Sequence, residues 1–248
     1  MSENGYDDVV SAGVSFTLTE EQKMIQKLAR DFSRKEIAPK AEHYDKSHEF
    51  PWDVLKKAQE IGLTTMAVPE EYGGMGLSLL EEIIAAEEMA WGCSGISLAI
   101  VINNLSALPV VLGGNEEQKK KYLGRLVDGK LAAYAVTEPD AGSDVAALKT
   151  TAVRDGDYYI LNGTKTFITG ATVADWYDIF AYTDPSVPYR GMSAFVVDRD
   201  SEGLTVGKPF DKLGQRASDT AEVILENVRV PAENLIAKEG MGFLLYNG

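Results

Sequence analysis

The chain has 248 residues, an apolar fraction of 45%, a charged fraction of 25% and a formal net charge of −14. This length and composition are typical of a globular protein with a substantial core, arranged as one large or two ordinary domains. The acidic balance argues against nucleic acid as a partner, because phosphates would be repelled over most of the surface. Backbone donors could still hold a smaller anion locally.

The sequence has no run of 18 apolar residues, so we expect no membrane insertion. Its first residues, MSENGYDDVV, lack the features of a secretory signal or a transit peptide. Cys93 is the only cysteine, which rules out an intrachain disulfide and disfavours a thiolate metal site, so no metal site is predicted. These features favour a reducing compartment, with the bacterial cytoplasm preferred and the mitochondrial matrix as the second choice.

The first half of the chain predicts helices. Three capping-box patterns mark helix starts: Thr19 with Gln22, Ser78 with Glu81, and Asn115 with Gln118. Pro51 and Gly62 bracket a further helix, with the expected proline at its start and glycine at its end. The apolar segment from about 96 to 112 predicts a buried helix. We therefore expect a helical N-terminal domain over residues 1–130.

The second half predicts a β domain over residues 131–237. Its short β-branched or aromatic runs are LAAYAVT, KTTAVR, YYILN, KTFIT, YDIFAYT, MSAFVVD and AEVILENV. The dipeptides DG at 155–156 and NG at 162–163 are both hairpin signals. These features favour an antiparallel sheet or a small barrel. Residues 238–248 look helical again, as the start of a third unit, so the predicted fold class is a multidomain α+β protein.

One segment, YAVTEPDAGSD at 134–144, leads an apolar strand into a dense row of small polar groups. A plain surface turn is the simplest interpretation. However, Thr137 and Ser143 offer hydroxyl donors, and Ala141 to Asp144 can present successive backbone N–H groups. Such donors suit a flat heterocycle that carries carbonyls, or a phosphate ester, and they need no added positive charge.

Six segments, in order and spacing, resemble the acyl-CoA dehydrogenase family. They are PEEYGGMG (69–76), GNEEQKKKYL (114–123), YAVTEPDAGSD (134–144), NGTKTFIT (162–169), DKLGQRASDT (211–220) and VPAENLI (230–236). The resemblance extends over nearly the whole chain from about Phe16, and it is greatest to the short- and medium-chain branch.

The resemblance implies an FAD-dependent enzyme with a helical N-terminal domain, a β middle domain and a C-terminal helical bundle. Members remove an α-proton and a β-hydride from an acyl-CoA thioester, which gives the trans-2-enoyl-CoA. Electrons then pass to an electron-transfer flavoprotein. The flavin commonly lies at a subunit interface, which implies a homo-oligomer.

The resemblance also implies which residues bind the cofactor. The first segment supplies Tyr134, Ala135, Val136, Thr137, Gly142 and Ser143, and the second supplies Phe167, Ile168 and Thr169. Thr137 would place a hydroxyl near the flavin ring, and Ser143 would contact the phosphate region of flavin or CoA. Phe167 replaces a tryptophan that is common in the family. It either presents a flat face to the ring or belongs to the sheet core, and the pattern does not separate these alternatives.

Val101 lies where family members shape the floor of the acyl pocket, although core packing explains it equally well. The resemblance places the catalytic base, a glutamate, beyond Gly248, so no catalytic residue is assigned and Glu138 is interpreted as structural. Arg216 is interpreted as an ion-pair residue in preference to a ligand contact. The chain is expected to comprise the first two domains. In isolation it should therefore retain FAD weakly and show negligible turnover.

Two other functions remain open at this point. A flavin oxidase would pass electrons to oxygen. A non-catalytic flavin- or CoA-binding or assembly protein would keep the same loops without chemistry. The joint presence of Thr137, Ser143 and Thr169 argues against the second alternative, whereas the absence of an assigned base favours it.

Overall fold

The computed structural model describes residues 17–247 and contains a helical unit followed by a β-sheet unit. The α-helices are α1 (Glu20–Phe32), α2 (Ala41–Ser47), α3 (Trp52–Glu60), α4 (Leu79–Gly92), α5 (Ser94–Gly113), α6 (Glu116–Gln118), α7 (Gly124–Val127) and α8 (Gly242–Asn247). Short π-helical turns follow α1 and α6, at Ser33–Ile37 and Lys119–Leu123. The expected helical first half is confirmed.

Reciprocal capping fixes the helix starts that the sequence predicts. At α1, Gln22 N donates to Thr19 Oγ1 over 3.2 Å, and Thr19 N donates to Gln22 Oε1 over 3.0 Å. The same pair of bonds joins Asn115 and Gln118 at α6, over 2.9 and 3.0 Å. Gln118 also donates to the backbone oxygen atoms of Glu233 and Leu235, so this cap attaches the helical unit to the end of the sheet unit.

Helix α5 forms the centre of the helical unit, as the apolar run at 96–112 predicts. Among the described residues it is the one helix that is long and apolar enough to cross a membrane, with a mean hydropathy of 1.9 over its most apolar window. Of that window, 67% is buried inside the protein. Its residues pack into two separate core clusters, one among the helices and one against the sheet. This burial is typical of a core helix.

The second unit is one mostly antiparallel sheet. Its strands are β1 (Ala132–Ala135), β2 (Thr151–Asp155), β3 (Tyr158–Thr169), β4 (Trp176–Tyr182), β5 (Met192–Asp198), β6 (Leu204–Val206), β7 (Thr220–Pro231) and β8 (Leu235–Ile236). The strand order is β6-β7-β3-β2-β4-β5-β8, with β1 paired to β4. The β1–β4 pair and the short β2–β4 pair are parallel. The predicted α+β class is confirmed.

The DG dipeptide at 155–156 forms the predicted hairpin between β2 and β3. The NG hairpin prediction is wrong, because Asn162 and Gly163 lie inside the single long strand β3 at a register shift against β7. A Cβ atom on Gly163 would lie 2.3 Å from Thr150 Oγ1, which is too close for any side chain. The glycine here allows a close approach of neighbouring chain within a bulge instead of a turn.

Strand β4 is buried along its whole length, because both faces of the sheet are covered. Trp176 and Phe180 point to one face, where they pack against α5 and the turn Lys119–Leu123. Tyr177 and Ile179 point to the opposite face, into a core formed by the sheet itself. This arrangement holds the carboxyl end of β1 rigidly beside α5, and the candidate site lies there.

Candidate functional site

The segment after β1 and the end of β3 meet at one groove of about 220 Å³, which we call the polar groove. Helices α5 and α8 complete its walls. Its lining residues are Ile102, Leu105, Tyr134, Val136, Thr137, Gly142, Val145, Phe167, Ile168, Thr169 and Tyr246. The structure thus brings together the two segments that the sequence singles out separately.

A buried ion pair joins the two segments behind the polar groove. Lys165 Nζ, on β3, donates to Glu138 Oε1 over 2.7 Å and to the backbone oxygen of Val136 over 3.0 Å. One residue further along, Thr166 N donates to Thr137 O over 2.9 Å. These bonds fix the position of the β1 extension relative to β3.

Both carboxylate oxygens of Glu138 accept hydrogen bonds that serve this structural role. Besides Lys165, it accepts hydrogen bonds from the backbone N–H groups of Lys149, over 2.5 Å, and Thr150, over 3.0 Å. Burial opposes its ionisation, but the charge of Lys165 and the hydrogen bonds prevail and hold the pKa of Glu138 below its usual value. Burial lowers the pKa of Lys165 to about 8. The pair is therefore charged at neutral pH.

Phe167 lies on a bulge of β3 and projects into the polar groove. Its φ of 56° is in the left-handed region, which bulky residues rarely adopt, and the β3–β7 register shifts between Lys165 and Ile168. The side chain is 66% exposed, and its ring centroid is 5.3 Å from that of Phe210. This exposure excludes the sheet-core interpretation of Phe167 and leaves the ring accessible to a ligand in the polar groove.

Hydrogen-bond donors at the polar groove lack partners within the described chain. The hydroxyl groups of Thr137 and Thr169 make no hydrogen bond, and both residues are half-buried. The backbone N–H groups of Gly142, Ser143 and Asp144 are likewise without an acceptor among residues 17–247. The N–H of Ala141 is not available, because it donates to Glu138 O over 3.1 Å in a tight turn.

The remaining predicted cofactor residues occupy different positions. Tyr134, Val136 and Ile168 line the polar groove. Ala135 does not, because its side chain is completely buried in the core on the opposite face of the sheet. Ser143 is exposed on the turn beyond the lining residues, so it can reach only a ligand that extends out of the groove. Contact of any of these residues with a cofactor stays a prediction.

Asp178 lies behind Tyr134, and the sequence analysis did not single it out. It is completely buried on β4, paired in register with Tyr134, and neither carboxyl oxygen has a hydrogen-bond partner in the described structure. Burial raises the pKa of Asp178 well above its ordinary value. Burial and the neighbouring Asp178 also raise the pKa of the Tyr134 phenol. The Tyr134 phenol is therefore uncharged at neutral pH, and burial favours the protonated form of Asp178. The feature of the sequence that could have identified Asp178 is the presence of an aspartate inside an apolar strand.

A second groove of about 480 Å³, which we call the apolar groove, lies between α4, α5 and the loop that precedes α4. Its lining residues are Met66, Ala67, Leu77, Leu79, Glu82, Ile83, Ala86, Val101, Asn104, Leu105, Leu108 and Val111. Val101 both lines this groove and packs against the helical core, so the two interpretations of it are compatible. Leu105, which is 52% exposed, lines both grooves, and the two are therefore adjacent.

The grooves carry few charged groups. No aspartate or glutamate among the described residues lines the polar groove, so no catalytic base is assigned within 17–247. The described residues also contain no group of three or more His, Cys, Asp and Glu side chains that could hold a metal ion.

Arg216 donates to the backbone oxygens of Asp45 and Lys212, over 3.1 and 2.7 Å, and its guanidinium group lies 3.3 Å from the carboxylate of Asp211. Its contacts are those of a structural residue.

The arrangement can therefore hold a planar, carbonyl-bearing heterocycle. The threonine hydroxyls could donate to its polar edge, Phe167 could offer an aromatic face, and the free backbone N–H groups could receive an anionic extension. The adjacent apolar groove can take an aliphatic chain.

Comparisons with known proteins identify the family to which the chain belongs. Residues 19–130 match the acyl-CoA dehydrogenase N-terminal domain, and residues 133–228 match the acyl-CoA dehydrogenase middle domain. The chain is 44% identical over 234 residues to the probable medium-chain specific acyl-CoA dehydrogenase 2, mitochondrial, of Caenorhabditis briggsae. It is 45% identical over 233 residues to the acryloyl-CoA reductase (NADH) of Anaerotignum propionicum. Each alignment covers 93% of this chain, but only 57% and 59% of the respective relatives.

Two solved structures share the fold. One, described as the electron transferring flavoprotein of Acidaminococcus fermentans, contains a chain with 44% identity and a TM-score of 0.89, which covers 94% of this chain and 62% of that one. The other, acyl-CoA dehydrogenase complexed with FAD from Bacillus anthracis, has 39% identity and a TM-score of 0.85, and covers 96% of this chain and 41% of that one. Because two consecutive domains of one family account for most of its length, the chain belongs to the acyl-CoA dehydrogenase family.

Proposed function

We propose that residues 17–247 form the flavin- and acyl-binding face of an FAD-dependent acyl-CoA dehydrogenase. The reaction converts an acyl-CoA thioester to the trans-2-enoyl-CoA. The observation that carries this proposal is the adjacency of the polar and apolar grooves at Leu105. It places a site for a heterocycle directly beside a site for an aliphatic chain.

The residues of the polar groove fit FAD. Thr137 and Thr169 would donate their free hydroxyls to the polar edge of the ring, and Phe167 would lie against its face. The backbone N–H groups of Gly142, Ser143 and Asp144 would receive the negative diphosphate, which explains how an acidic protein can bind an anion. A solved relative described as complexed with FAD supports this assignment. When bound, FAD supplies the hydride acceptor.

The apolar groove would hold the acyl chain and exclude water from it. Hydride transfer from a β-carbon requires a dry site and close positioning of the reacting atoms. Removal of the α-proton requires a positioned base, and no carboxylate of the described residues lines the polar groove. We therefore expect the 248-residue chain to turn over negligibly, and we propose that it retains FAD weakly.

The proposed electron acceptor is an electron-transfer flavoprotein. A structural relative whose description names such a protein supports this partner. We also propose a homo-oligomeric assembly and a bacterial cytoplasmic location.

Titration of the chain with FAD, followed by flavin fluorescence, tests the proposal. Quenching should be saturable, and the dissociation constant for FAD that it gives should fall when butyryl-CoA is present, because the two grooves are adjacent. The double variant Thr137→Val/Thr169→Val should weaken quenching, whereas Thr205→Val, on the exposed face of β6, should not. Isolation of the chain with one bound flavin per protein, together with turnover of butyryl-CoA, would contradict the expectation of weak binding and negligible turnover.

The 45% identity to an acryloyl-CoA reductase favours one second candidate, the same chemistry in the direction of reduction. An enoyl-CoA that reoxidises dithionite-reduced flavin faster than an acyl-CoA bleaches oxidised flavin would support this direction. Oxygen consumption with acyl-CoA would instead support the oxidase alternative.

A further inference from the structure

Tyr246, on α8, lines the polar groove although no sequence motif singled it out. The residue is 37% exposed, and its hydroxyl makes no hydrogen bond within residues 17–247. Its phenol lies near that of Tyr134: burial and Asp178 raise the pKa of Tyr134, and Tyr246 adds to this rise. Tyr246 therefore brings an unpartnered hydroxyl donor, on an accessible side chain, to the wall of the groove.

Contacts with the sheet determine where α8 lies. This helix has only six residues, Gly242–Asn247, which are too few to be stable without tertiary packing. Gly242 and Leu245 are its buried residues. A Cβ atom on Gly242 would lie 2.8 Å from the backbone carbonyl carbon of Ser193, so the first turn of α8 packs directly on β5. The position of Tyr246 therefore depends on how α8 is attached to the sheet.

A chain of hydrogen bonds attaches the segment just before α8. Gly240 N donates to Ser193 Oγ over 2.9 Å, and Ser193 Oγ lies 2.8 Å from Thr183 Oγ1. Thr183 Oγ1 donates in turn to the backbone oxygen of Gly191 over 3.1 Å. Because a hydroxyl carries one proton, Ser193 must donate to Thr183 while it accepts from Gly240. The completely buried Ser193 thus occupies the middle of this chain.

Two further contacts hold α8 and the residues that precede it. The Tyr159 hydroxyl, on β3, donates to Glu239 Oε1, and burial together with this bond raises the pKa of Tyr159 to about 12. Within α8, Phe243 packs against Tyr189, with ring centroids 4.8 Å apart. These contacts fix α8 against the sheet, and α8 in turn holds Tyr246 at the polar groove.

We propose that Tyr246 donates a hydrogen bond to the heterocycle held in the polar groove, and that Ser193 positions Tyr246 through α8. This inference rests on the proposed function, in which that heterocycle is the flavin ring of FAD. Among the described residues no charged side chain lines the groove, so neutral hydroxyls are the side-chain donors that a ring carbonyl would meet there. Tyr246 would contact the ligand itself, whereas Ser193 would act only through the position of the helix.

The test compares the FAD affinities of Tyr246→Phe and Tyr189→Phe, measured by quenching of flavin fluorescence. The Tyr246 ring centroid is 6.3 Å from that of Phe243, and phenylalanine keeps this packing while it removes the hydroxyl. Tyr246→Phe should raise the dissociation constant for FAD by about two- to twelvefold, which is the effect of one hydrogen bond. Tyr189 also packs on Phe243 but does not line the groove, so Tyr189→Phe should leave the affinity unchanged.

A double-mutant cycle tests the positioning role of Ser193. Ser193→Ala removes the middle of the hydrogen-bond chain and should also weaken FAD binding. If Ser193 acts through Tyr246, the double variant Ser193→Ala/Tyr246→Phe should bind FAD no more weakly than the weaker of the two single variants. A merely structural role for Ser193 would give effects that multiply in the double variant.

The outcomes separate this inference from the proposed function. Unchanged FAD affinity in Tyr246→Phe, or an equal loss in Tyr189→Phe, would overturn the role of Tyr246 and leave the proposed function intact. Multiplying effects in the cycle would overturn the positioning role of Ser193. Absence of saturable FAD binding by the parent chain would overturn the proposed function, and this inference with it.

Discussion

Lys165 Nζ lies 2.7 Å from Glu138 Oε1, and both side chains are almost completely excluded from solvent. Desolvating two charges is costly, and the pair compensates this cost only while both partners are present. Because Glu138 follows β1 and Lys165 lies on β3, the pair holds together the two segments that line the polar groove.

Removal of one partner of this ion pair should therefore strongly lower the stability of the fold. We expect Lys165→Met to lower the free energy of unfolding by about 3 to 5 kcal/mol, since it leaves Glu138 buried and unpaired. The double variant Glu138→Gln/Lys165→Met should recover part of this loss. Lys149→Met, which breaks an exposed ion pair with Asp140, should cost at most about 1 kcal/mol. Urea unfolding measures all three, and equal losses for Lys165→Met and Lys149→Met would contradict this account.

Replacement of Phe167 should separate stability from ligand binding. Glycine adopts a φ of 56° without strain, and the phenyl ring is mostly exposed, so Phe167→Gly should leave the melting temperature unchanged or higher. It should nevertheless weaken FAD binding, because the flat face is lost. Phe167→Trp should retain binding. A Phe167→Gly protein that binds FAD as tightly as the parent would show that the ring has no role in the groove.

The two groove threonines should contribute separately to flavin affinity. A hydrogen bond is worth about 0.5 to 1.5 kcal/mol, so Thr137→Val and Thr169→Val should each raise the dissociation constant for FAD by about two- to twelvefold. Valine preserves the shape of threonine, and stability should change little. Fluorescence titration checks the effect, with Thr205→Val as the matched control. Unchanged affinity in both variants would place the flavin elsewhere.

Asp178 should give stability a distinctive pH dependence. Its pKa is raised well above the ordinary value in the folded state, so the folded protein retains a proton that the unfolded chain releases above about pH 4. Its contribution to stability therefore falls as pH rises from there towards the folded-state pKa. Asp178→Asn cannot ionise and should be more stable than the parent by about 1 to 3 kcal/mol at pH 8, with a smaller difference at pH 5.

Urea unfolding at the two pH values tests this expectation, and Asp200→Asn, at an exposed position, is the control. A difference between parent and Asp178→Asn that stays constant with pH would mean that Asp178 has an unrecognised partner.

The local signals in the sequence predicted the parts of the fold that depend on neighbours in the chain. The capping pairs Thr19–Gln22 and Asn115–Gln118 form as expected, because each is completed within three residues. The hairpin prediction from the NG dipeptide at 162–163 was wrong because the same residue types occur in hairpin turns and in bulges. The close approach of Thr150, which selects the bulge, involves the residue that precedes a different strand, β2.

The residues of the candidate site also divide into those that local motifs predict and those whose position depends on packing between distant segments. Thr137, Phe167 and Thr169 were predicted from motifs, and they do share a groove. Leu105, Asn104 and Glu82 were not singled out, because their position depends on how α4 and α5 pack together. Ser143, although part of the motif, lies outside the groove lining because the turn at Glu138 and Ala141 carries the chain outwards.

The most direct test of the central claim follows the threonine methyl signals of the 248-residue chain by NMR during titration with FAD. If the segments after β1 and at the end of β3 together bind the flavin, the Thr137 and Thr169 signals will shift with one saturable curve while Thr205 stays unchanged. Saturable flavin binding with no shift at Thr137 and Thr169, or no saturable binding at all, would contradict the account.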